Sequence, residues 1–394
     1  MSISSQITLA MQRGSFIRKM FEEGRQLKKQ FGNENVFDFS IGNPDVPPPA
    51  LFQQVLEEEA TRQDPMIHCY MPNAGFEATR SAVADNYKLD TGLAVTSNEI
   101  VMTSGAGGAL NVVLKATLEP EDEVIVLAPF FVEYGFYISN HGGRMVISET
   151  TADFLPDLED IANRITPKTR ALIINSPNNP TGMVYSRELL DELGAFLTDQ
   201  SNRLGRPIYL LSDEPYRTLI FDNVKYPSPL LSYDSTIIVT SNSKDLSLAG
   251  ERIGHIAVSP RFADHTLLVS ALVFSNRILG FVNANALMQR VVARLQGVHV
   301  DPAIYQRRRD LLCEALGSMG FQFTKPAGAF YLFPKSPIPD DSAFADFMRK
   351  YRVIVVPGTG FFRSGYFRIS YAVNEDTIER SLEFFARAAE ELGL

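Results

Sequence analysis

Short apolar segments alternate along the middle of the chain with segments of helical periodicity, such as residues 109–116 and 187–203. The apolar segments are rich in β-branched residues and continuously apolar, which is typical of strands covered on both faces. This alternation of strands and helices predicts an α/β sheet whose strands are mostly parallel. The seven predicted strands cover residues 99–104, 122–129, 144–148, 170–177, 207–214, 236–241 and 252–259.

The seventh predicted strand is expected to run against the others. Only ten residues separate it from the sixth strand, and a parallel crossover needs a dozen or more. Residues 45–291 are therefore predicted to form a large domain. Its seven-stranded sheet is mostly parallel, contains one antiparallel strand and is sandwiched by helices.

The two ends of the chain are predicted to form a smaller α+β domain. Residues 13–31 carry apolar residues at helical spacing between charges, which predicts an amphipathic helix in an N-terminal arm of residues 1–44. The proline-rich stretch 42–49 separates this arm from the large domain. Residues 292–394 complete the small domain with predicted helices at 305–319, 342–350 and 376–392 and predicted strands at 329–333, 353–356 and 366–371.

Composition narrows the class of protein. The 394 residues are 45% hydrophobic and 21% charged, as in globular proteins with a large core, and the net charge is −9. A general nucleic-acid binder needs a basic face, so this balance disfavours one, although a local basic site for a small anion stays open. Cys69 and Cys313 are isolated, no metal-site spacing occurs, and no apolar run is long enough for a membrane span. No export signal is evident, so a cytoplasmic enzyme is expected.

Polar and aromatic residues follow the carboxyl ends of five predicted strands. Ligands of open α/β sheets bind beyond these ends, so five such groups indicate one shared cleft. The groups are residues 104–108 after the first strand, Phe130, Phe131 and Tyr134 after the second, residues 178–182 after the fourth, residues 213–216 at the fifth, and Ser241 with Lys244 after the sixth.

The glycine-rich loop at 104–108 opens a predicted helix, where backbone N–H groups and the helix dipole favour an anion. Taken alone, such a loop is more often only a turn. It is not a dinucleotide fingerprint, because Leu110 stands where the third glycine would be. With the hydroxyl of Ser241 and the guanidinium of Arg252 nearby, a phosphate site is the favoured interpretation.

Three further residues suit a cofactor that carries an aldehyde and a ring nitrogen. Asp213 ends a buried strand, where a carboxylate needs a cation or donors, so a cationic ligand nitrogen is its expected partner. Tyr216 can donate to a ligand oxygen, although alone it is more often a packed aromatic. The amine of Lys244 becomes reactive when burial and a neighbouring cation lower its pKa. Phosphate, ring nitrogen, phenolic oxygen and aldehyde all occur in pyridoxal 5′-phosphate.

From residues 41–45 to residues 365–372 the chain resembles the class I aminotransferases of the aspartate aminotransferase type, which are fold type I pyridoxal-phosphate enzymes. The resemblance implies that residues 45–291 form the cofactor-binding domain. It implies transfer of the amino group of an L-amino acid to a 2-oxo acid, with 2-oxoglutarate as the expected acceptor and a ping-pong mechanism.

The resemblance also implies residue roles. Lys244 holds the cofactor as an aldimine and moves the proton, and Asp213 keeps the ring nitrogen protonated. Tyr216 and Asn179 bind the phenolic oxygen, and Phe131 stacks on the ring where the family often has tryptophan. The implied phosphate cup consists of Gly105, Ala106, Gly107, Ser241 and Arg252.

By the same resemblance, Arg368 binds the substrate α-carboxylate, assisted by the backbone of Gly42 and the side chain of Asn179. Tyr70 resembles a tyrosine that reaches the phosphate of the neighbouring subunit, which implies a homodimer with shared active sites. Without the resemblance, Tyr70 would be interpreted as a core tyrosine and Arg368 as a surface charge. The arginine run at 307–309 is predicted to be a solvated helix face without a function.

The resemblance leaves two placements for the residue that binds the substrate side chain. Dicarboxylate-specific members use an arginine of the other subunit to bind the distal carboxylate of the substrate. Counting from Arg252 places that position at Ile278, beside Arg277, whereas aligning residues 274–276 with a family motif places it at Ala271. Arg277 as the reader of a distal carboxylate is therefore a hypothesis.

Two alternative functions remain. A β-eliminating carbon–sulfur lyase of the same fold would share the cofactor motifs. An acyl-transferase of the SxxK type would use Ser241 as nucleophile and Lys244 as base, but its partner KTG triad is absent from the chain.

Overall fold

The computed structural model describes residues 3–13 and 16–394. The helices are α1 (Ser5–Arg13), α2 (Phe16–Phe31), α3 (Ala50–Ala60), α4 (Glu77–Thr91), α5 (Gly105–Thr117), α6 (Glu133–Asn140), α7 (Leu158–Arg164), α8 (Arg187–Leu204), α9 (Asn242–Asp245), α10 (His265–Ile278), α11 (Ala286–Ala293), α12 (Pro302–Ser318), α13 (Asp341–Lys350) and α14 (Glu375–Leu392). The predicted N-terminal helix corresponds to α2, and residues 14 and 15 of that prediction lie outside the described residues.

The strands are β1 (Phe37–Asp38), β2 (Ile100–Thr103), β3 (Glu123–Ala128), β4 (Arg144–Glu149), β5 (Thr169–Asn175), β6 (Tyr209–Asp213), β7 (Thr236–Ser241), β8 (Gly254–Val258), β9 (Tyr331–Leu332), β10 (Val353–Ile354), β11 (Val356–Pro357) and β12 (Phe367–Ser370). Each of the seven predicted strands of the large sheet is present, as β2 to β8.

These seven strands form one sheet in the order β2-β8-β7-β6-β5-β3-β4. Strand β8 pairs antiparallel with both β2 and β7, and the other pairs are parallel. The predicted mostly parallel sheet with one antiparallel strand is therefore confirmed. The connection after β7 holds only the short helix α9 and one 3₁₀ turn, which is too little for a parallel crossover.

Helices cover both faces of this sheet. Strand β3 shows the arrangement, because Val124 and Val126 pack with α5, α6 and α10, whereas Ile125 and Leu127 pack with α7 and α8. Successive side chains of a strand point to opposite faces, so a strand buried on both faces is apolar throughout. The continuous apolar runs of the sequence have this cause.

The N-terminal segment packs with the C-terminal part of the chain. Strand β1 pairs in parallel with β10, and β11, β12 and β9 form a small antiparallel sheet. Phe37 and Phe39 share a core with Tyr305, Phe367 and Phe385. These contacts support a small α+β domain built from both ends of the chain, whose boundaries at residues 44 and 291 stay a prediction.

The prediction that residues 307–309 form a solvated helix face is wrong. Arg307 is exposed, but Arg308 and Arg309 are only 6% and 0% exposed and form ion pairs with Asp45 and Asp222. Consecutive positions of a helix point in different directions, so a charged run on α12 divides between solvent and interior. The two buried guanidinium groups are compensated by carboxylates distant in sequence.

Candidate active site

One cavity lies beyond the carboxyl ends of β5, β6 and β7 and the N-terminus of α5, and residues 40–42, Tyr331 and Arg368 complete its wall. Its volume is about 310 Å³, which suits a small molecule. The residues that the sequence analysis singled out and that line it are Gly42, Ala106, Gly107, Phe131, Asn179, Asp213, Tyr216, Ser241, Lys244, Arg252 and Arg368.

Asp213 ends β6 with an incompletely satisfied carboxylate. Its Oδ2 accepts a hydrogen bond of 2.6 Å from the hydroxyl of Tyr134, whereas Oδ1 has no hydrogen-bond partner among the described residues. Burial raises the pKa of Asp213 to about 7, and the bond from Tyr134 opposes this shift. A buried acceptor without a donor at the cavity wall fits a protonated ring nitrogen, which would supply both the proton donor and the positive charge.

Lys244 lies on α9, directly after β7. Its Nζ donates to the carbonyl oxygen of Gly42 at 2.8 Å. Burial, followed by the charges of Arg252 and Arg368, lowers the pKa of Lys244 to about 8. The direction and both causes agree with the sequence-based expectation, and they favour the neutral, nucleophilic amine.

The residues of the predicted phosphate cup bring together a helix N-terminus, a guanidinium and a pair of hydroxyl groups. Helix α5 begins at Gly105, whose φ is +70°, and a β-carbon there would lie 2.7 Å from Nη2 of Arg252. The hydroxyl of Ser241 donates to that of Ser243 at 3.0 Å. N–H groups at the start of a helix, hydroxyls and a guanidinium are the donors that a phosphate dianion accepts from.

Arg368 lies on β12 and is only 3% exposed. Its Nη1 donates to Oδ1 of Asn179 at 3.0 Å, and its Nη2 donates to the carbonyl oxygen of Ser40 at 2.5 Å. The guanidinium carbon lies 4.7 Å from the ring centres of both Tyr331 and Phe361. None of the described carboxylates is bonded to this buried guanidinium, so its charge is uncompensated there and it is suited to bind an anion.

Tyr134 and Tyr331 line this site and were not assigned a role from the sequence. Tyr134 holds Asp213, and the hydroxyl of Tyr331 lies 2.9 Å from the hydroxyl of Tyr216. Tyr331 also explains Gly42, because a β-carbon at Gly42 would lie 1.9 Å from the Tyr331 hydroxyl oxygen. Tyr134 stood among the strand-end residues, whereas no sequence pattern distinguishes Tyr331.

Tyr70 and Arg277 lie outside the cavity of this chain. Tyr70 is 90% exposed, and the guanidinium of Arg277 stacks on the ring of Phe274 at 5.0 Å on α10. The roles implied for both residues require a second subunit and stay predictions.

The geometry gives no support to an acyl-transferase of the SxxK type. Ser241 donates to Ser243, and the Lys244 amine donates to Gly42, so this pair lacks the base–nucleophile hydrogen bond. Within residues 3–13 and 16–394, His, Cys, Asp and Glu side chains form no group of three or more that could hold a metal ion. The helices of the same ranges include none that is long and apolar enough to cross a membrane.

Comparison with known proteins identifies the family of this site. The model of the aminotransferase class I and II family matches residues 34–385. The chain belongs to this family. An aspartate/prephenate aminotransferase of Thermus thermophilus is 36% identical over 81% of this chain and 82% of its own length. An aromatic-amino-acid aminotransferase of Thermococcus litoralis is 31% identical over 97% of each chain. An aminotransferase structure from Eubacterium rectale matches all of both chains with a TM-score of 0.97 and 36% identity.

Members of the class I and II aminotransferases use pyridoxal phosphate, so the predicted cofactor and the predicted amino-group transfer are confirmed. This aminotransferase acts on small molecules, and its relatives favour transfer over the lyase alternative. The residues that line its cavity fit this cofactor in chemical type, because they include the unpartnered buried oxygen of Asp213, the amine of Lys244 and the guanidinium of Arg252.

Proposed function

We propose that this aminotransferase moves the amino group of an L-amino acid to a 2-oxo acid, with 2-oxoglutarate as acceptor, by a ping-pong mechanism. The observation that carries the proposal is the position of the Lys244 amine, which lies in one cavity with Arg252 and Arg368 and is held by the Gly42 carbonyl. The phosphate cup and the carboxylate site thus lie around one reactive amine.

Several side chains are proposed to bind and orient the cofactor. When bound, pyridoxal phosphate supplies an aldehyde and a ring that withdraws electrons from the reacting carbon. Oδ1 of Asp213 would accept from the ring nitrogen and hold its proton, which is favourable because this oxygen is buried and the described residues offer it no other donor. Phe131 packs on the ring, and Tyr216 and Asn179 bind its phenolic oxygen. Gly105, Ala106, Gly107, Ser241 and Arg252 would donate hydrogen bonds to its phosphate.

Lys244 is proposed to bind the aldehyde and then to move a proton. With a pKa of about 8, roughly one amine in ten is neutral at pH 7, compared with about one in several thousand for an ordinary lysine. When Nζ is not itself bonded to the aldehyde carbon, the neutral amine would accept the proton of the substrate α-carbon and hold it for return to that aldehyde carbon. One group can serve as base and as acid because it stays beside both atoms.

Arg368 is proposed to orient the substrate through its α-carboxylate. The rings of Tyr331 and Phe361 fix the plane of the guanidinium, and burial strengthens its attraction for an anion. Both the amino donor and the oxo acceptor carry this carboxylate, so one residue serves both halves of the reaction. Lys244 then faces the substrate α-carbon rather than its side chain.

The choice of substrate side chain is proposed to depend on a second copy of the chain. Tyr70 and Arg277 are exposed in one subunit, and in a homodimer with shared active sites they would reach the partner's cavity. Arg277 is proposed to bind a distal carboxylate, which agrees with a relative named for aspartate and prephenate. Arg277→Ala should then lower kcat/KM for aspartate at least tenfold more than for alanine, and an equal loss would contradict this role. The expected cytoplasmic location stays a prediction.

The protein reconstituted with pyridoxal phosphate tests the proposal directly. An amino acid is added without acceptor, and the products are separated. Pyridoxamine phosphate and a 2-oxo acid support transfer, whereas pyruvate, ammonia and a thiol from a cysteine-like donor would establish the lyase. Borohydride reduction followed by peptide mapping should attach the cofactor to Lys244 and not to another lysine. A panel of amino acids with 2-oxoglutarate then identifies the donor, and Lys244→Ala serves as the inactive control.

A further inference from the structure

A partly buried ion pair joins α12 to the segment that covers the reactive lysine. The guanidinium of Arg308 donates from Nη1 to Oδ1 of Asp45 at 2.7 Å and from Nη2 to Oδ2 at 2.9 Å. Arg308 is 6% exposed, and the Asp45 side chain is 27% exposed. A two-bond pair of this kind fixes both distance and orientation, and burial protects it from screening by salt.

Asp45 ends the segment of residues 40–45, here called the cover segment. Two of its carbonyl groups accept hydrogen bonds from the site, Ser40 from Arg368 and Gly42 from the Nζ of Lys244. The first end of the segment is tied to the small domain, because Phe39 donates its N–H to Ile354 and accepts from Ser370. The other end is tied by the pair between Asp45 and Arg308, and the next residue, Val46, packs against the core that contains Tyr305.

We propose that Arg308 and Asp45 are a positioning pair for Lys244. They fix the C-terminal end of the cover segment and thereby hold the Gly42 carbonyl against the amine. This inference rests on the proposed function of Lys244. Only Asn43 and Pro44 lie between Gly42 and Asp45, and the proline ring fixes one of the backbone angles, so a displacement of Asp45 is transmitted to Gly42.

Loss of the pair should loosen one end of the cover segment, which only the packing of Val46 would then hold. A segment held less firmly opens more often, and a misplacement of about 1 Å at a reacting group can lower a rate by about 10²-fold. The Lys244 amine would then be more accessible and less well oriented. Neither residue contacts the reacting atoms, so the effect should appear in kcat and in the reactivity of the amine more than in substrate affinity.

The test uses Asp45→Asn, Arg308→Gln and the double variant. Arg307→Gln is the matched control, because Arg307 is on the same helix but exposed. The first measurement is the rate of acetic anhydride labelling at Lys244 in the cofactor-free protein, followed by peptide mass spectrometry. Labelling should be at least threefold faster in Asp45→Asn and Arg308→Gln than in the unmodified chain and the control.

The second measurement is steady-state kinetics of the holoenzyme. We expect kcat to fall about tenfold in each single variant and no further in the double variant, because both changes remove one interaction. Thermal unfolding identifies any variant that does not fold. If Arg308→Gln does not fold, Asp45→Asn carries the test, since its oxygens are partly exposed.

Unchanged labelling together with kcat within twofold of the control would overturn the positioning role. Additive losses in the double variant would also overturn it. A failure of the proposed function looks different, because the unmodified holoenzyme would then lack transfer activity while the labelling comparison could still be made.

Discussion

Tyr134 donates its hydroxyl to Oδ2 of Asp213 over 2.6 Å, and Oδ1 of the same carboxylate has no partner among the described residues. The two oxygens therefore have different environments. One is held by the protein, and the other remains available to a ligand at the cavity wall. This asymmetry is the basis of the first two predictions.

Tyr134→Phe should weaken the interaction between Asp213 and the cofactor. The bond from Tyr134 lowers the pKa of this carboxyl against the larger effect of burial, so its removal should raise the pKa further above about 7. Hydrogen bonds to charged groups contribute about 1.5–3 kcal/mol, so kcat/KM should fall by about 10- to 100-fold. Steady-state kinetics and cofactor titration measure the effect. The control is Tyr351→Phe, at the exposed hydrogen bond to Glu391, and a loss equal in both variants would contradict the role of Tyr134.

Asp213→Asn should change how the stability of the cofactor-free protein depends on pH. The pKa of Asp213 is raised from 3.8 to about 7 in the folded state, so between these values the folded state binds the extra proton. Stability from this group is therefore present below about pH 4 and is lost as the pH rises to about 7. The variant should lack this loss, which is on the order of 4 kcal/mol.

Urea unfolding of both cofactor-free proteins at several pH values from 4.5 to 7.5 measures this difference. The neighbouring Glu214, whose pKa burial also raises to about 7, is present in both proteins, so its contribution cancels in first order. A difference in unfolding free energy that does not vary with pH would show that Asp213 is not the buried titrating group.

Gly42→Ala should disturb the site through Tyr331. The new β-carbon would lie 1.9 Å from the Tyr331 hydroxyl oxygen, so either the backbone at Gly42 or the Tyr331 side chain must move. We expect kcat/KM to fall by at least tenfold, because Gly42 also carries the carbonyl that holds Lys244. Tyr331→Phe removes the oxygen that clashes, so the double variant should recover part of the loss. Kinetics of the two single variants and the double variant form a double-mutant cycle. Purely additive losses in kcat/KM would mean that the clash with Tyr331 does not cause the loss in Gly42→Ala.

Arg309→Ala should destabilise the folded protein. Its guanidinium is fully buried, donates twice to Asp222 at 2.6 and 2.8 Å and donates once to the carbonyl of Pro326. Removing it leaves a cavity and unpaired acceptors, so the free energy of unfolding should fall by about 3 kcal/mol or more. Arg307→Ala on the same helix should change it by less than about 0.5 kcal/mol. Chemical unfolding of both variants measures whether the loss of unfolding free energy is larger for Arg309 than for Arg307, as their burial implies.

The large sheet and the group of residues after its strands were predictable from the sequence, because each strand and the loop that follows it are adjacent along the chain. The carboxyl ends of such strands meet at one edge, so polar residues after successive strands become neighbours. Asp213, Ser241 and Lys244 came together in this way. The antiparallel β8 followed from a connection too short for a crossover.

Other contacts depend on pairs that are distant along the chain. Tyr331 meets Tyr216 across 115 positions, and Arg308 meets Asp45 across 263. Arg308 resembles exposed Arg307 in sequence, but only the docking of α12 decides which of them faces the interior. The sequence by itself determined which polar and reactive residues follow each strand and meet at one edge of the sheet, because short local connections place them there. The tertiary structure alone decided what covers that edge, because burial and pairing of a side chain are set by the element packed against it.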